Sequence, residues 1–291
     1  MADAGRDEVG RRVLEAWDAF LDQVATVDLE RPSRLAGWRA HEIAVHLGCW
    51  DDHTALADLI TSARSGGAGT LPEVDAVNAR VTAAHRDASR DEVLAALRRN
   101  RDATARYLKE EPVELDTAPT VSVVGSLPLL SVVLGQAYEL GVHGLDLVSC
   151  GAEPPPPEVL QSGIAALVDV TGALAASSDI TGGVTLATPD GGWAFAADGD
   201  GWTVRRVSAG QVSGPAVEAS APLLLEAASG RISPVPAVAT RRLKVHDVAG
   251  LLRLAPIVQK APGIPGGPIL QLAARTMGGA GGMLGRLFGR G

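Results

Sequence analysis

The sequence predicts an N-terminal four-helix bundle followed by a small α+β domain, and three features of the chain indicate this division. In the first half, apolar residues recur at helical spacing in four successive segments. Residues 154–157 are four consecutive prolines, which cannot continue a helix and stiffen the chain. Beyond them, short apolar runs alternate with Asp-Gly turns. We therefore expect a bundle over 1–153, an α+β domain over 158–260 and a glycine-rich tail over 261–291.

The composition is that of a folded protein with a sizeable core. Of the 291 residues, 46% are hydrophobic, and 34 acidic against 26 basic residues give a net charge of -8. This charge argues against a general nucleic-acid-binding protein. The two cysteines form no disulfide framework, and the first 13 residues lack the apolar segment of a signal peptide. We therefore expect a cytoplasmic protein.

Four segments carry the helical pattern of the expected bundle. The first is amphipathic, with charged residues opposite its apolar face. Within the third segment a new helix is expected to begin at Ser89, because Glu92 three residues later completes a capping box. The fourth begins near Pro128, which suits a first helical turn. The four segments are 5–26, 39–62, 72–111 and 128–151.

The uncharged stretch 117–138 is long enough to raise the question of a membrane span. It contains Pro119, Gly125 and Pro128 and leads into a polar motif. We therefore expect a buried helix with an extended lead-in and no stable membrane insertion.

The second half of the chain alternates helical and strand patterns. Residues 158–176 have helical spacing, and the turns at 190–192 and 198–201 join strands as hairpins. The predicted strands are 183–188, 192–197, 201–207, 216–219 and 242–245, and the further predicted helices are 221–229 and 248–259. The glycines of the tail weaken any amphipathic anchor there, so we expect a loosely ordered extension.

Glu139 and His143 in the fourth helix form the first candidate site. They are four residues apart, so both side chains leave one face about one helical turn apart. Such pairs are commonly solvated, but most of the same face is apolar, with Leu129, Val132, Gln136 and Leu147. We expect the pair to be carried into the interior, where an unpaired carboxylate is expensive. A third ligand from another helix would complete a metal site.

His46 is the candidate third ligand, because it lies on an apolar stripe in the middle of the second helix. The alternative for a lone histidine is a neutral core residue that bonds to the backbone. Two histidines and one glutamate form a set used by catalytic zinc, with a fourth position for water or substrate. His46, Glu139 and His143 are therefore the candidate ligands of a metal site, and for His46 alone the core-histidine alternative stays open.

Competing motifs near His46 are weaker. His41-Glu42 resembles the start of a zinc-protease H-E-x-x-H motif, but the next histidine is His46, about 140° around the helix from His41. His53 lies two turns from His46, about 10 Å along the axis, too far for both to bind one ion. Cys49 is either a ligand or a small buried apolar residue.

Further polar residues near the candidate ligands have open roles. Asp146 either orients His143 or faces solvent. We expect Asp51, Asp52 and His85 to be solvent-exposed.

Two motifs resemble the mycothiol-dependent maleylpyruvate isomerase family. The first is LAGWRAHEIAVHL at 35–47, and the second is Glu139-x-x-x-His143-Gly-x-Asp146. The second half resembles the sterol-carrier-like α+β domain of that family through Trp193-x-Phe195, Trp202-Thr203-Val204, Ser213-Gly214-Pro215-Ala216 and residues 223–231. The resemblance covers about residues 5–260.

The resemblance implies a DinB-like bundle in which His46, Glu139 and His143 hold one divalent metal, expected to be zinc. It also implies that the thiol of mycothiol occupies the open position, where a metal favours the thiolate. Such a thiolate can add to the double bond of an activated cis-enedione acid, permit rotation and leave as the trans isomer forms. Arg231 matches a Gly-Arg position implicated in activity; its guanidinium either grips a dicarboxylate substrate or satisfies carbonyls at a helix end.

These expectations describe a metal-dependent enzyme whose partners are a low-molecular-weight thiol and a small-molecule electrophile. The reaction is either cis-trans isomerisation of the maleylpyruvate type or thiol S-transfer. The alternative is a non-catalytic small-molecule or lipid binding protein in which the metal is structural or absent. The sequence leaves the oligomeric state open.

Overall fold

A computed structural model describes residues 5–50, 55–70 and 74–260 of the chain. The chain forms two compact units, one ending at Ala166 and the other beginning at Leu167. The first consists of helices and one hairpin, and the second contains a five-stranded sheet. The predicted fold class, helices followed by an α+β domain, is confirmed. The domain limits 1–153 and 158–260 stay predictions.

The helices of the first unit follow one another with a hairpin before the last. They are α1 (Arg6–Thr26), α2 (Ala40–His46), α3 (Ala55–Arg64), α4 (Val74–Ala84), α5 (Arg90–Glu110) and α6 (Leu129–Val148). A 3-10 turn (Val113–Asp116) and the strands β1 (Pro119–Ser122) and β2 (Gly125–Pro128) connect α5 to α6.

Helix α1 packs against both α5 and α6 and organises the core of the bundle. Its buried apolar residues recur at the predicted helical spacing, at Val9, Val13, Ala16, Trp17, Phe20 and Val24. Full burial of a large apolar side chain contributes about 1.5–3 kcal/mol relative to exposure. Gly144 brings α6 close to its neighbours, because a Cβ there would lie 2.8 Å from the Gln23 side chain.

The prediction of one continuous second helix over 39–62 is wrong, because α2 ends at His46 and α3 begins at Ala55. Two residues after the end of α2, Gly48 lies against α5. A Cβ at Gly48 would be only 2.9 Å from the Cβ of Ala96, closer than real Cβ contacts allow.

Helix α5 supplies the hydrogen bonds that a continuing α2 would have made. The Asn100 amide donates to the carbonyl of Leu47 at 2.9 Å, and Arg99 Nε donates to the carbonyl of Cys49 at 3.1 Å. Because these tertiary contacts satisfy the backbone at the break, the helix can stop there. His46 consequently lies in the last turn of α2.

The predicted interruption of the third helical region is confirmed, since α4 ends at Ala84 and α5 begins at Arg90. The Ser89 hydroxyl accepts a hydrogen bond from the backbone N–H of Glu92, and the Glu92 carboxylate accepts one from the backbone N–H of Ser89. The Ser89 hydroxyl also donates to the Glu92 carboxylate, and this bond and the one from the Ser89 backbone N–H lower the pKa of Glu92. The capping box read from the sequence therefore starts α5.

The uncharged stretch before α6 forms the antiparallel hairpin β1–β2, which confirms the extended lead-in. Among the described residues, one helix is long and apolar enough to cross a membrane by length and composition. This is α7 (Pro157–Ala176), and 89% of its most apolar window is buried within the protein.

The sheet of the second unit has the strand order β5-β4-β3-β6-β7. Its strands are β3 (Gly182–Thr188), β4 (Gly191–Ala197), β5 (Trp202–Val207), β6 (Ala216–Glu218) and β7 (Lys244–His246). Strands β3, β4 and β5 form an antiparallel meander, β6 runs parallel to β3, and β7 is antiparallel to β6. In the turn before β5, the Asp198 carboxylate accepts backbone N–H groups of Asp200 and Gly201, which confirms this hairpin signal.

The short helices of the second unit differ in part from the prediction. They are α8 (Ala221–Ala228), α9 (Pro234–Ala239), α10 (Val248–Leu252) and α11 (Ala255–Lys260). Helix α9 was not predicted: Pro234 and Pro236 fall in its first turn, where the missing N–H groups cost little. The single helix predicted at 248–259 is divided after Leu252. The predicted tail, 261–291, lies outside the described residues.

Candidate metal centre

The structure brings His46, Glu139 and His143 together. Each offers one ligand atom, and these atoms all lie within 4.8 Å of one another. His46 comes from the last turn of α2, and the other two come from α6. Nε2 of His143 is 3.7 Å from Oε2 of Glu139, and the rings of His46 and His143 meet edge to face with centroids 5.2 Å apart. That these residues bind a metal stays a prediction.

The donor set, and the spacing of two of its ligand atoms, fit a divalent ion such as zinc. Bonds of about 2.0–2.2 Å to zinc place tetrahedral donors roughly 3.4 Å apart. The 3.7 Å separation of His143 and Glu139 is close to this value. Two imidazoles and one carboxylate also leave a fourth position, as catalytic zinc sites do.

A buried carboxylate holds the ring of His143. His143 Nδ1 donates to Oδ2 of Asp146 at 3.0 Å, and Arg34 Nε donates to Oδ1 of the same carboxylate at 2.7 Å. Asp146 has no solvent exposure. Of the two roles open for Asp146 in the sequence, the structure therefore supports the one that orients His143. A proton on Nδ1 leaves the lone pair of Nε2 for a metal.

The second histidine is held from a different helix. His46 Nδ1 is 3.0 Å from Oδ1 of Asn78 on α4, and the Trp38 ring lies 5.5 Å from the His46 ring between centroids. Sequence reasoning missed both Asn78 and Arg34. A metal-bound histidine needs an acceptor for its other ring N–H, but no spacing along the chain indicates which residue supplies it.

Glu139 is more exposed than predicted. Its side chain is 52% exposed, against 6% for His143, so the expectation that both would be buried is wrong for Glu139. Along the predicted apolar stripe, Leu129 and Leu147 are buried, whereas Gln136 is only half-buried. A carboxylate on the solvent-exposed part of this helix face stays hydrated, which avoids the free-energy cost of burial. The centre is consequently open to solvent on the Glu139 side.

The other sequence candidates lie elsewhere or in other roles. His41 is buried, and its Nε2 donates to the Ala88 carbonyl at 2.9 Å. His85 stacks on Trp50 with ring centroids 3.8 Å apart, so it is half-buried rather than freely solvated. Asp51, Asp52 and His53 lie outside the described residues.

The two cysteines are unsuited to surface chemistry. Cys49 and Cys150 are free thiols, and both are buried. Cys49 is not part of the cluster of ligand atoms found among the described residues. Burial raises the pKa of the Cys150 thiol, which disfavours its thiolate.

Arg231 follows α8 in the second unit. Its backbone N–H donates to the Glu226 carbonyl at 2.9 Å, and Gly230 before it has a φ of 71°, which favours glycine. Arg231 therefore stands at a helix end. Its role toward a substrate stays a prediction.

Comparisons with known proteins agree with this architecture. Residues 11–148 match the family described as the mycothiol maleylpyruvate isomerase N-terminal domain. A crystal structure of a mycothiol-dependent maleylpyruvate isomerase is similar with 19% identity and a TM-score of 0.50, and that of a histidine-to-alanine mutant with 17% and 0.51. Both alignments cover 80% of this chain and 92% of the other. No curated protein sequence matches significantly.

Proposed function

We propose, from the match of residues 11–148 to the mycothiol maleylpyruvate isomerase N-terminal domain family, that the protein is a metal-dependent enzyme that uses a low-molecular-weight thiol. The observation that carries the proposal is the convergence of His46, Glu139 and His143 at a solvent-open position. We assign zinc as the metal and mycothiol as the thiol.

The chain itself lacks a suitable thiol among its described residues. A bound divalent ion would supply positive charge that keeps a thiol deprotonated at neutral pH. Cys49 and Cys150 are buried, and burial raises the pKa of Cys150. The nucleophilic sulfur therefore has to come from a cosubstrate, and the exposed side of Glu139 leaves a way in for one.

Two reactions of a small electrophile suit an external thiolate. In isomerisation, the sulfur adds to one carbon of a cis double bond, and the π-electron pair moves onto the conjugated carbonyl. Rotation about the new single bond and return of that pair then expel the sulfur and leave the trans alkene, so no thiol is consumed. In S-transfer the electron pair instead returns to carbon, which takes up a proton, and the new carbon–sulfur bond persists, so one thiol is consumed for each electrophile.

A positively charged side chain would hold the substrate during either reaction. We assign this role to Arg231, whose guanidinium can bind a carboxylate in a bidentate way. Maleylpyruvate, which carries two carboxylates, is one candidate substrate.

Metal analysis tests the proposed centre. The wild type, purified without added metal, should carry about one ion per chain, and His46→Ala and His143→Ala should lose it. His85→Ala is the matched control, because it removes another half-buried histidine of the same unit outside the cluster. A metal-free wild type, or unchanged content in both ligand variants, would exclude the proposed centre.

Turnover distinguishes the two reactions. Zinc-loaded protein is mixed with mycothiol and maleylpyruvate, and proton NMR follows the alkene and the thiol. Isomerisation forms the trans alkene at constant thiol, whereas S-transfer consumes both reactants equally. Bound metal with neither change, here and with a panel of other small electrophiles, would instead identify a non-catalytic binding protein.

A further inference from the structure

We propose that Asn78 is a positioning residue of the metal centre, which presents Nε2 of His46 to the ion from a separate helix. The inference rests on the proposed metal site. Oδ1 of Asn78 lies 3.0 Å from Nδ1 of His46. A neutral histidine has one ring proton, so a proton donated from Nδ1 to Asn78 selects the tautomer with its lone pair on Nε2.

His46 depends on this contact because its own helix gives it little support. It is the last residue of α2, and the chain leaves the helix directly after it. His46 is half-buried, whereas His143 is buried and is followed by more than one further turn of the regular helix α6. The Asn78 side chain therefore restrains a ring whose backbone stands at a helix end.

Apart from the hydrogen bond to His46, little side-chain burial fixes the position of helix α4. It packs against α2, yet its described side chains include none that is fully buried. The half-buried ones are Val77, Asn78, Val81 and Thr82, which share one face. A polar side chain in the middle of this face bonds to a candidate ligand. This arrangement is consistent with a helix that positions the ligand rather than one that fills the hydrophobic core.

The two histidines are held by unequal partners. Asp146 is a charged, fully buried carboxylate that also binds Arg34, whereas Asn78 is a neutral, half-buried amide. Hydrogen bonds to charged groups are about twice as strong as neutral ones. Of these two hydrogen bonds, the one between His46 and Asn78 is therefore the weaker.

The test compares variants at this position by zinc affinity, measured in competition with a chromophoric chelator. Asn78→Leu keeps the side-chain size but removes the acceptor, and affinity should fall by roughly 10- to 100-fold, as when other partners of metal-bound histidines are lost. Asn78→Asp keeps an acceptor oxygen and should bind zinc at least as tightly as the wild type. This rescue would not occur if Asn78 served only to pack α4.

Thr82→Val is the matched control on the same face of α4. The Thr82 hydroxyl donates to the Asn78 backbone carbonyl within the helix, so its loss should leave zinc affinity unchanged. Unfolding midpoints of the metal-free proteins report packing alone, and Asn78→Leu should change its midpoint no more than Thr82→Val does.

The outcomes separate this inference from the proposed function. Tight zinc binding by the wild type with equal affinity in Asn78→Leu would overturn the role of Asn78 and leave the metal site intact. An Asn78→Asp protein as weak as Asn78→Leu would also overturn it. A wild type that binds no metal would instead refute the proposed function itself.

Discussion

His143 donates its Nδ1 hydrogen to the fully buried carboxylate of Asp146 over 3.0 Å. The two residues are three apart on α6, so one helix fixes both the ring and its acceptor. Arg34 from the loop before α2 balances the charge of the buried carboxylate at 2.7 Å. An unpaired buried charge would be costly, so the three residues form one hydrogen-bonded group behind the candidate metal centre.

Replacement of Asp146 by asparagine should weaken metal binding. His143 and Arg34 bond to different oxygens of the carboxylate, and the amide replaces one of these oxygens by an NH2 group that cannot accept. We therefore expect about a 10- to 100-fold loss of zinc affinity in chelator competition. Asp116→Asn is the matched control, because Asp116 is also a buried partner of an arginine, Arg6. The control should lose stability and keep its zinc affinity; equal affinities in the two variants would refute the role of Asp146.

Stability should depend on pH through Glu42, which starts the helix that carries His46. Burial, the largest single effect, raises the pKa of Glu42, but the hydrogen bonds from the side chain and backbone of Arg39 together with its charge outweigh burial and lower the pKa to about 2 from 4.5. Because the folded pKa is depressed, the stabilisation is complete above about pH 4.5 and is lost as the pH falls toward 2.

Glu42→Gln should therefore lower the thermal unfolding midpoint at pH 7, and its difference from the wild type should shrink at pH 3. Glu30→Gln is the control: Glu30 binds the same Arg39, but its side chain is 73% exposed, so the pair contributes at most about 1 kcal/mol. A Glu42→Gln difference that stays constant from pH 7 to pH 3 would contradict this account.

Replacement by alanine should have opposite effects on protein stability at two glycines of α6. A Cβ at Gly144 would lie 2.7 Å from Pro155 and 2.8 Å from Gln23, whereas a Cβ at Gly135 would meet nothing within 4 Å. We expect Gly144→Ala to destabilise the protein by about 1–3 kcal/mol through overpacking. Gly135→Ala should stabilise it by up to about 1 kcal/mol through helix propensity. Urea unfolding measures both, and equal effects would show that α6 does not pack as described.

Replacement of Arg231 should weaken substrate binding without changing the metal content. A hydrogen bond to a charged group contributes about 1.5–3 kcal/mol, so Arg231→Ala should lower kcat/KM roughly 10- to 100-fold with unchanged metal content. Arg205→Ala on β5 is the control, since Arg205 is an exposed arginine of the same unit. Unchanged kcat/KM with a lowered unfolding midpoint would assign Arg231 to the helix end alone.

Local patterns were sufficient for most elements of the fold. The Ser89–Glu92 capping box starts α5 as predicted, and the strands β3 to β5 fall within two residues of their predicted positions. These features can be predicted from the sequence because their interactions join residues that are near one another along the chain. The pairing of Glu139 with His143 belongs to the same class, because four residues along a helix set it.

By itself, the sequence determined most of the helices and strands and identified the three candidate ligands, because periodicity and local spacing encode them. Only the tertiary structure decided where α2 stops, since Asn100 and Arg99 of α5 satisfy the backbone at the break. It also decided which residues hold the ligands: Asn78 is 32 positions from His46, and Arg34 is 112 from Asp146. Such partners depend on how helices pack, which no local pattern records.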